Sequence, residues 1–132
     1  MKIRVYYEDT DAGGIVYHTN YIKYCERARS EHFFSRGMMP GEGDRYGFVV
    51  RKIHADFLGS AVLGDMLKIK TSIIDAKKSS ITLLQEVYKE ETKLFGMEVL
   101  LVYVEAGKPH RIPEYLLIIL QELNDHPPGY SS

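Results

Sequence analysis

The side chains best suited to chemistry lie in one short stretch, residues 8–21. It contains the carboxylate of Asp11, the Gly13-Gly14 pair and, seven residues after Asp11, the imidazole of His18. Apolar residues at helical spacing follow and predict a helix that begins near His18. The first N–H groups of a helix have no acceptor within it, and the helix dipole favours negative charge there. A carboxylate beside such groups suits chemistry at a carbonyl carbon, where an oxyanion needs stabilisation.

Two chemical roles and one structural role are open to Asp11. It would act either as a general base toward water or as a nucleophile that attacks the carbonyl carbon. Aspartate and glycine also populate turns for backbone reasons alone, so Asp-Ala-Gly-Gly in isolation is typical of a turn. The neighbouring Glu8 and Asp9 are expected to point away from Asp11 and to cap the loop.

A family resemblance rests on the run RVYYEDTDAGGIVYH at residues 4–18, on Asn20-Tyr21 and on ERAR at residues 26–29. These segments resemble the opening of the 4-hydroxybenzoyl-CoA thioesterase-like hotdog family, most closely its YbgC type, the acyl-CoA thioesterases associated with the Tol–Pal system. Weaker resemblance continues to residues 112–113 and covers nearly the whole chain. It implies a hotdog fold and hydrolysis of an acyl-CoA thioester to a carboxylic acid and CoA, with no metal and no redox cofactor.

The resemblance also implies site residues. The family's catalytic carboxylate falls on Asp11, and backbone N–H groups at Tyr17 and His18 would hold the thioester oxygen. The His18 side chain, a feature of the YbgC type, would position water or a proton, with an exposed histidine of no function as the alternative. Tyr7 would lie close to the carboxylate as a third catalytic residue, with an ordinary aromatic position on a strand as the alternative.

Phosphate binding is implied at the basic turn between two predicted strands. Lys77 and Lys78 would bind the CoA phosphates, with Ser79 as a further donor and Arg51 as a weaker second candidate. A solvated turn is the alternative, since lysines are common there. Phosphate binding by these side chains would weaken as salt is added.

Two other interpretations of the residues are rejected. The run DTDAG at residues 9–13 is similar to a calcium loop, but Asn20 stands where that loop needs a glutamate. Cys25 lies seven residues from both His18 and His32. Seven residues span about 10 Å along a helix, so the sulfur would reach neither imidazole. We expect Cys25 to be a small buried side chain.

Composition narrows the function classes. A chain of 132 residues with 45% hydrophobic and 27% charged residues is typical of one soluble globular domain. A formal net charge of −1 offers nothing to attract nucleic acid. The single cysteine excludes an internal disulfide and a Cys-rich zinc site. We see no signal peptide and no apolar run that would span a bilayer, so we expect the protein in the cytoplasm.

Periodicity along the chain predicts a strand, a long helix, four strands and a short helix. The predicted strands are 3–7, 48–57, 66–75, 81–90 and 95–105, and the predicted helices are 18–36 and 113–123. Gly37 and Pro40 would end the long helix before a mobile loop at 38–47. This order predicts an α+β hotdog fold, in which an antiparallel sheet wraps one long central helix. A single domain would occupy residues 1–124, with a flexible tail at 125–132.

Exposed sheet edges invite pairing, and the resemblance implies a homo-oligomer, either a dimer or a dimer-of-dimers homotetramer. Two functions compete with thioester hydrolysis. One is an acyl-thioester hydratase or dehydratase on the same fold. The other is a non-enzymatic partner that binds acyl-CoA or acyl-carrier protein in envelope maintenance. The sequence leaves open the acyl group, the choice between CoA and acyl-carrier protein, and the role of Asp11.

Overall fold

The computed structural model describes residues 1–36 and 46–125. In chain order the elements are β1 (Lys2–Arg4), a 3-10 turn (Tyr7–Asp9), α1 (His18–Phe34), β2 (Tyr46–Phe57), β3 (Met66–Ala76), β4 (Ser80–Lys89), β5 (Thr92–Glu105), β6 (Lys108–Pro109), α2 (Glu114–Gln121) and a second 3-10 turn (Glu122–Asp125).

The strands form one antiparallel sheet in the order β1-β3-β4-β5-β2, and β6 pairs with the end of β5. Alternate residues of β4 are buried, which is the pattern of a strand with one face on the core. Strand β5 lies between β4 and β2, as its run of apolar residues predicted. The predicted α+β class is confirmed.

Helix α1 packs on the inner face of the sheet because its apolar residues recur at helical spacing. Its buried side chains include Tyr21, Tyr24, Cys25 and Ala28, which recur at helical spacing on one face. His32, further along the same face, is only half-buried, and its Nε2 lies 2.7 Å from the carbonyl oxygen of Ile119. The long helix is therefore the centre of the core, as predicted.

The C-terminal elements are tied to the rest of the fold by side-chain contacts. The Asn124 amide donates to and accepts from the Ile73 backbone, along a part of β3 that β1 does not cover. The Arg36 guanidinium forms two hydrogen bonds with the Glu122 carboxylate, at 2.7 and 3.0 Å. These contacts hold the short helix against α1 and β3.

The predicted first strand, residues 3–7, is too long. Strand β1 ends at Arg4 because the next residues turn: the Asp9 N–H donates to the Tyr6 carbonyl, and the Tyr6 N–H donates to the Asp9 carboxylate. The chain therefore bends before Tyr7.

Other boundaries shift less. Helix α1 ends at Phe34, β2 begins at Tyr46, and the two-residue β6 was not predicted. The predicted helix stops Gly37 and Pro40 and most of the 38–47 loop lie outside the described residues, as does the tail beyond Asp125. The domain boundary at residue 124 stays a prediction. Among the described residues, no helix has the length and apolar character needed to cross a membrane.

Candidate active site

The Asp11 loop is closed by its own backbone. The Asp11 N–H donates to the Ile15 carbonyl at 2.9 Å, and the Gly14 N–H donates to the Asp11 carbonyl at 3.0 Å. Thr10 and Val16 pair as an antiparallel bridge just outside these bonds. Gly14 has φ +81°, a left-handed conformation that residues with a side chain rarely adopt. The loop is therefore a compact turn with a defined shape.

The Asp11 carboxylate is exposed and fixed at one end. Its Oδ1 accepts a hydrogen bond from the Gly13 N–H at 2.8 Å. A Cβ on residue 13 would lie 3.3 Å from that oxygen, so glycine leaves room for the carboxylate. No side chain within residues 1–36 and 46–125 forms an ion pair with Asp11. The turn therefore leaves the second carboxylate oxygen of this exposed side chain without a hydrogen bond among the described residues.

The start of α1 leaves two N–H groups without an acceptor. Tyr17 is the N-cap, with extended backbone angles and no side-chain cap. The backbone N–H groups of His18 and Thr19 donate to no acceptor in the described part of the chain. The expectation that the Tyr17 N–H is free is wrong, because it donates to the Asp9 carbonyl at 2.9 Å.

The His18 imidazole lies on an aromatic surface. Its ring centroid is 4.5 Å from that of Tyr17 and 5.9 Å from that of Phe57, which meets it edge-on. The imidazole is exposed, so both ring nitrogens are accessible to a ligand or to water. Tyr7, in contrast, lies in the 3-10 turn with its side chain 80% exposed. A contact between Tyr7 and Asp11 stays a prediction.

The segment after β2 forms the floor of the site. The Val16 N–H donates to the Ala61 carbonyl, and the Ala61 N–H donates to the buried Tyr21 hydroxyl, both at 2.9 Å. Burial raises the pKa of Tyr21. Phe57, at the start of this segment, contacts both His18 and the buried Phe95. We did not predict Phe57 or Ala61 as site residues from the sequence, because neither has a chemical signature there.

Asp9 was expected to cap the loop, and the structure confirms this. Its carboxylate is buried and accepts hydrogen bonds from the Tyr6 N–H and the Asn20 side-chain amide, each at 3.0 Å. Asp11 is exposed. Successive side chains of an extended segment alternate between two sides, so residues 9 and 11 would have shared a side had the chain stayed extended. The turn separates them.

Cys25 is fully buried in the core, as predicted, and burial raises the pKa of its thiol to about 12. We therefore expect no reaction of Cys25 with a thiol reagent near pH 8 in the folded protein, and reaction once denaturant is added. Above about pH 8.5 an unfolded cysteine ionises first, so the Cys25 contribution to stability falls between about 8.5 and 12. Rapid labelling of the native protein would contradict this expectation.

The predicted phosphate-binding turn is present but lies far from Asp11. Lys77 and Lys78 are exposed, and the Ser79 carbonyl accepts from the Tyr103 N–H at 2.8 Å. The other end of β5 meets the floor of the site, where Leu94 accepts from the N–H groups of residues 58 and 59. Nine residues of strand separate Leu94 from Tyr103, a distance of about 30 Å. One chain therefore does not bring this turn to the Asp11 loop.

Arg51 lies on β2, at an irregularity between Val50 and Lys52 where the pairing with β5 shifts register. Its side chain is exposed. It lies six residues before Phe57, so it is roughly 20 Å along the strand from the His18 ring. Arg51 thus lies away from the Asp11 loop in one chain and nearer the Tyr103 end of β5, because its neighbours Val50 and Lys52 pair with Leu101 and Leu100. Among the described residues there is also no cluster of three or more His, Cys, Asp or Glu side chains that would hold a metal ion.

Comparison with known proteins identifies the family. A family model for the thioesterase superfamily matches residues 13–95. The chain belongs to the thioesterase superfamily. It is 53% identical to a protein of Helicobacter pylori named acyl-CoA thioesterase YbgC, over 93% of this chain and 100% of that protein. It is 41% identical to acyl-CoA thioester hydrolase YbgC of Escherichia coli O6:H1, over 87% of this chain and 90% of that protein.

The solved structures agree with this membership. A probable thioesterase from Bartonella henselae matches with a TM-score of 0.79 and 32% identity, over 86% of this chain and 97% of that one. The predicted family, the hotdog fold and the enzyme class of thioester hydrolase are confirmed. The roles of individual residues stay predictions.

Proposed function

We propose that the protein is an acyl-CoA thioesterase in which Asp11 is the catalytic carboxylate. The observation that carries this is the pairing of an exposed, hydrogen-bonded Asp11 with the free N–H groups at the start of α1, across one short loop. Relatives at 53% and 41% identity that carry the name acyl-CoA thioesterase or thioester hydrolase support it.

The reaction needs an oxyanion site, and α1 offers one. When a nucleophile adds to the thioester carbonyl, the oxygen becomes an anion. We place that oxygen at the His18 and Thr19 N–H groups, where the helix dipole also stabilises negative charge. The Tyr17 N–H takes no part, because the Asp9 carbonyl accepts its hydrogen bond.

Asp11 has two routes to the same products. As a general base it removes a proton from the water that attacks the carbonyl carbon. As a nucleophile it forms a mixed anhydride, which water then hydrolyses. In both, the carbon–sulfur bond breaks and the CoA thiolate takes a proton, leaving a carboxylic acid and free CoA. The His18 imidazole would deliver that proton or hold the water, and Tyr7 would support the water from the N-terminal side of the loop.

We further propose that a second copy of the chain completes the CoA site. Strand β2 lies at an edge of the sheet and exposes Val49, Val50 and Ile53. Antiparallel pairing of two β2 strands would place the Tyr46 end of one beside the Phe57 end of the other. The Lys77–Lys78 turn lies toward the Tyr46 end, because Tyr46 pairs with Glu105 near Tyr103. The turn of one copy would then approach the Asp11 loop of the other, in a dimer or in a tetramer of two such dimers.

Replacing Lys77 and Lys78 together by alanine is expected to raise KM for acyl-CoA about tenfold with little change in kcat, since phosphate binding is uniform in the ground and transition states. KM of the native enzyme should also rise with salt. The matched control replaces Lys2 and Lys23, two exposed lysines that lie outside β2 and outside the basic turn. Steady-state kinetics at low and high salt measure both effects. An unchanged KM would remove this turn from the CoA site.

The function itself is tested by free-thiol release from a panel of short, long and aromatic acyl-CoAs. Hydrolysis releases one thiol for each thioester cleaved and identifies the acyl preference. A hydratase or dehydratase would alter the acyl chain and release no thiol. If no acyl-CoA reacts, the same acyl groups on acyl-carrier protein form the second panel. If the protein binds substrates of both panels but hydrolyses none, a non-enzymatic binding role would be favoured. Such a role in envelope maintenance is suggested by the association of the YbgC type with the Tol–Pal system.

A further inference from the structure

Asp9 has a buried carboxylate just before the Thr10–Val16 bridge that closes the Asp11 loop, and it takes no part in the reaction proposed above. Asp9 is 4% exposed and is the only acidic side chain among the buried residues of the described chain. No lysine, arginine or histidine of the described residues forms an ion pair with it. Burying a charge is costly without compensating hydrogen bonds, so the local geometry has to supply them.

Asp9 joins three segments of the site. Its Oδ2 accepts from the Tyr6 N–H and its Oδ1 from the Asn20 Nδ2, each at 3.0 Å. Its backbone carbonyl accepts from the Tyr17 N–H at 2.9 Å. Tyr6 precedes the loop, Tyr17 follows it, and Asn20 lies in the first turn of α1. The buried Tyr24 is a fourth neighbour, and its pKa is raised first by burial and then by the Asp9 carboxylate.

These contacts lie at the point where the loop meets the helix. Thr10 and Val16 pair across the loop, so Asp9 and Tyr17 are the next residues outward on each side. Without the Asp9 contacts, the Thr10–Val16 bridge and the bonds within the turn would still shape the loop. Those bonds stay within the loop. The loop reaches α1 indirectly, through the Val16–Ala61 and Ala61–Tyr21 hydrogen bonds, and the Asp9 carboxylate adds a direct bond to Asn20 in the first turn of the helix.

We propose that Asp9 is a positioning residue: it fixes the distance between the Asp11 carboxylate and the His18 and Thr19 N–H groups. The inference rests on the proposed thioesterase function, because both partners in that distance belong to its mechanism. It also accounts for a carboxylate in place of a neutral side chain. Asp9 needs two acceptor oxygens, one for a backbone N–H and one for an amide N–H, and an asparagine offers only one.

The test is a reciprocal exchange of the two partners. Asp9→Asn places an amide donor against the Asn20 amide, so kcat for acyl-CoA hydrolysis should fall about 10²-fold, the effect of a displacement near 1 Å at a reacting centre. KM should change less than about threefold, because the CoA-binding residues are elsewhere. The double variant Asp9→Asn/Asn20→Asp restores the pairing, since the new amide can accept from the Tyr6 N–H and donate to the new carboxylate on α1. It should recover kcat to within about tenfold of the native value.

A second measurement separates this inference from the function. Hydrogen–deuterium exchange of the substrate-free protein should be faster at the backbone amides of residues 17 and 20 in Asp9→Asn and should return to native rates in the double variant. The control Glu122→Gln alters another hydrogen-bonded carboxylate, on the far side of the fold, and should leave exchange at residues 6–20 and kcat unchanged.

The positioning role would be overturned by either of two results. One is hydrogen–deuterium exchange in Asp9→Asn at the same rates as in the native protein. The other is a double variant that folds but does not recover kcat. If the native protein hydrolyses no thioester, the proposed function fails. The exchange data still decide in that case whether Asp9 holds the loop on the helix.

Discussion

Asp11→Asn is expected to lower kcat for thioester hydrolysis by about 10²–10⁴-fold, the usual contribution of a general base and a lower bound for loss of a nucleophile. Asparagine keeps an oxygen that can accept from the Gly13 N–H, so the loop should hold its shape. It cannot take a proton from water at neutral pH and is a poor nucleophile. KM should stay within a few-fold, because the oxyanion N–H groups and the CoA-binding turn are unchanged.

The matched control is Glu8→Gln, which removes a carboxylate from the exposed surface of the same loop. It should keep kcat within about twofold, as for an ordinary surface substitution. Thiol release by the three proteins, with melting curves to show that each is folded, measures the difference. Strong hydrolysis by Asp11→Asn would contradict the assignment and require another base. Trapping of an acyl-enzyme would distinguish the nucleophile from the base.

Phe95→Ala is expected to lower the free energy of unfolding by about 3–5 kcal/mol, the range for removing a buried phenylalanine. Phe95 has no exposed surface and lies beneath the site. Its ring stacks on Tyr21 at 5.5 Å between centroids and contacts Phe57 at 5.0 Å. The Tyr21 hydroxyl holds the Ala61 backbone, so the cavity would also loosen the site floor. A loss of this size should lower Tm by about 10 °C or more.

Phe57→Ala is the comparison, since its ring contacts the same cluster but is 49% exposed. Its loss should cost less than half as much stability, because half of its surface already contacts water. Denaturant titration measures the free energy of unfolding of both variants, with the same slope against denaturant concentration used for each. All proteins are compared at one concentration, because association between subunits would shift the apparent stability. If the two variants lose the same free energy of unfolding, then either a partner subunit covers Phe57 or neighbouring side chains move into the cavity left by Phe95.

In the proposed enzyme, the two ends of β5 lie beside parts of the site with different functions. Bond cleavage would take place at the Leu94 end, near Asp11, His18 and the floor of residues 57–61. Phosphate recognition would take place at the Tyr103 end, near Lys77, Lys78 and Ser79. A rigid strand keeps these ends apart in one chain. Assembly into antiparallel pairs would therefore be a requirement for activity, and the acyl preference would depend on surfaces from two copies.

Much of this organisation is readable from local sequence. Helical spacing in residues 18–36 predicted α1 and alternation in residues 66–75 predicted β3, because one-sided burial imposes a period on apolar residues. Glycines at 13 and 14 marked the loop, since left-handed backbone at Gly14 excludes most side chains. The family resemblance placed chemistry on Asp11 and His18.

Three features were decided by hydrogen bonds or strand pairing that the sequence patterns do not encode. The Tyr17 N–H was predicted to be free because helix rules count only bonds within the helix, and its acceptor is the carbonyl of Asp9, eight residues away. Tyr7 lies outside the predicted strand because the Tyr6 N–H donates to the Asp9 carboxylate, three residues further on, which forms a local turn. The distance between Asp11 and Lys77 follows from strand order and register, which no local pattern encodes. The sequence alone therefore determined which side chains are available for the proposed chemistry, because side-chain type and backbone freedom are local properties. Which of those groups are free, and which meet, was decided by packing between segments distant in the chain.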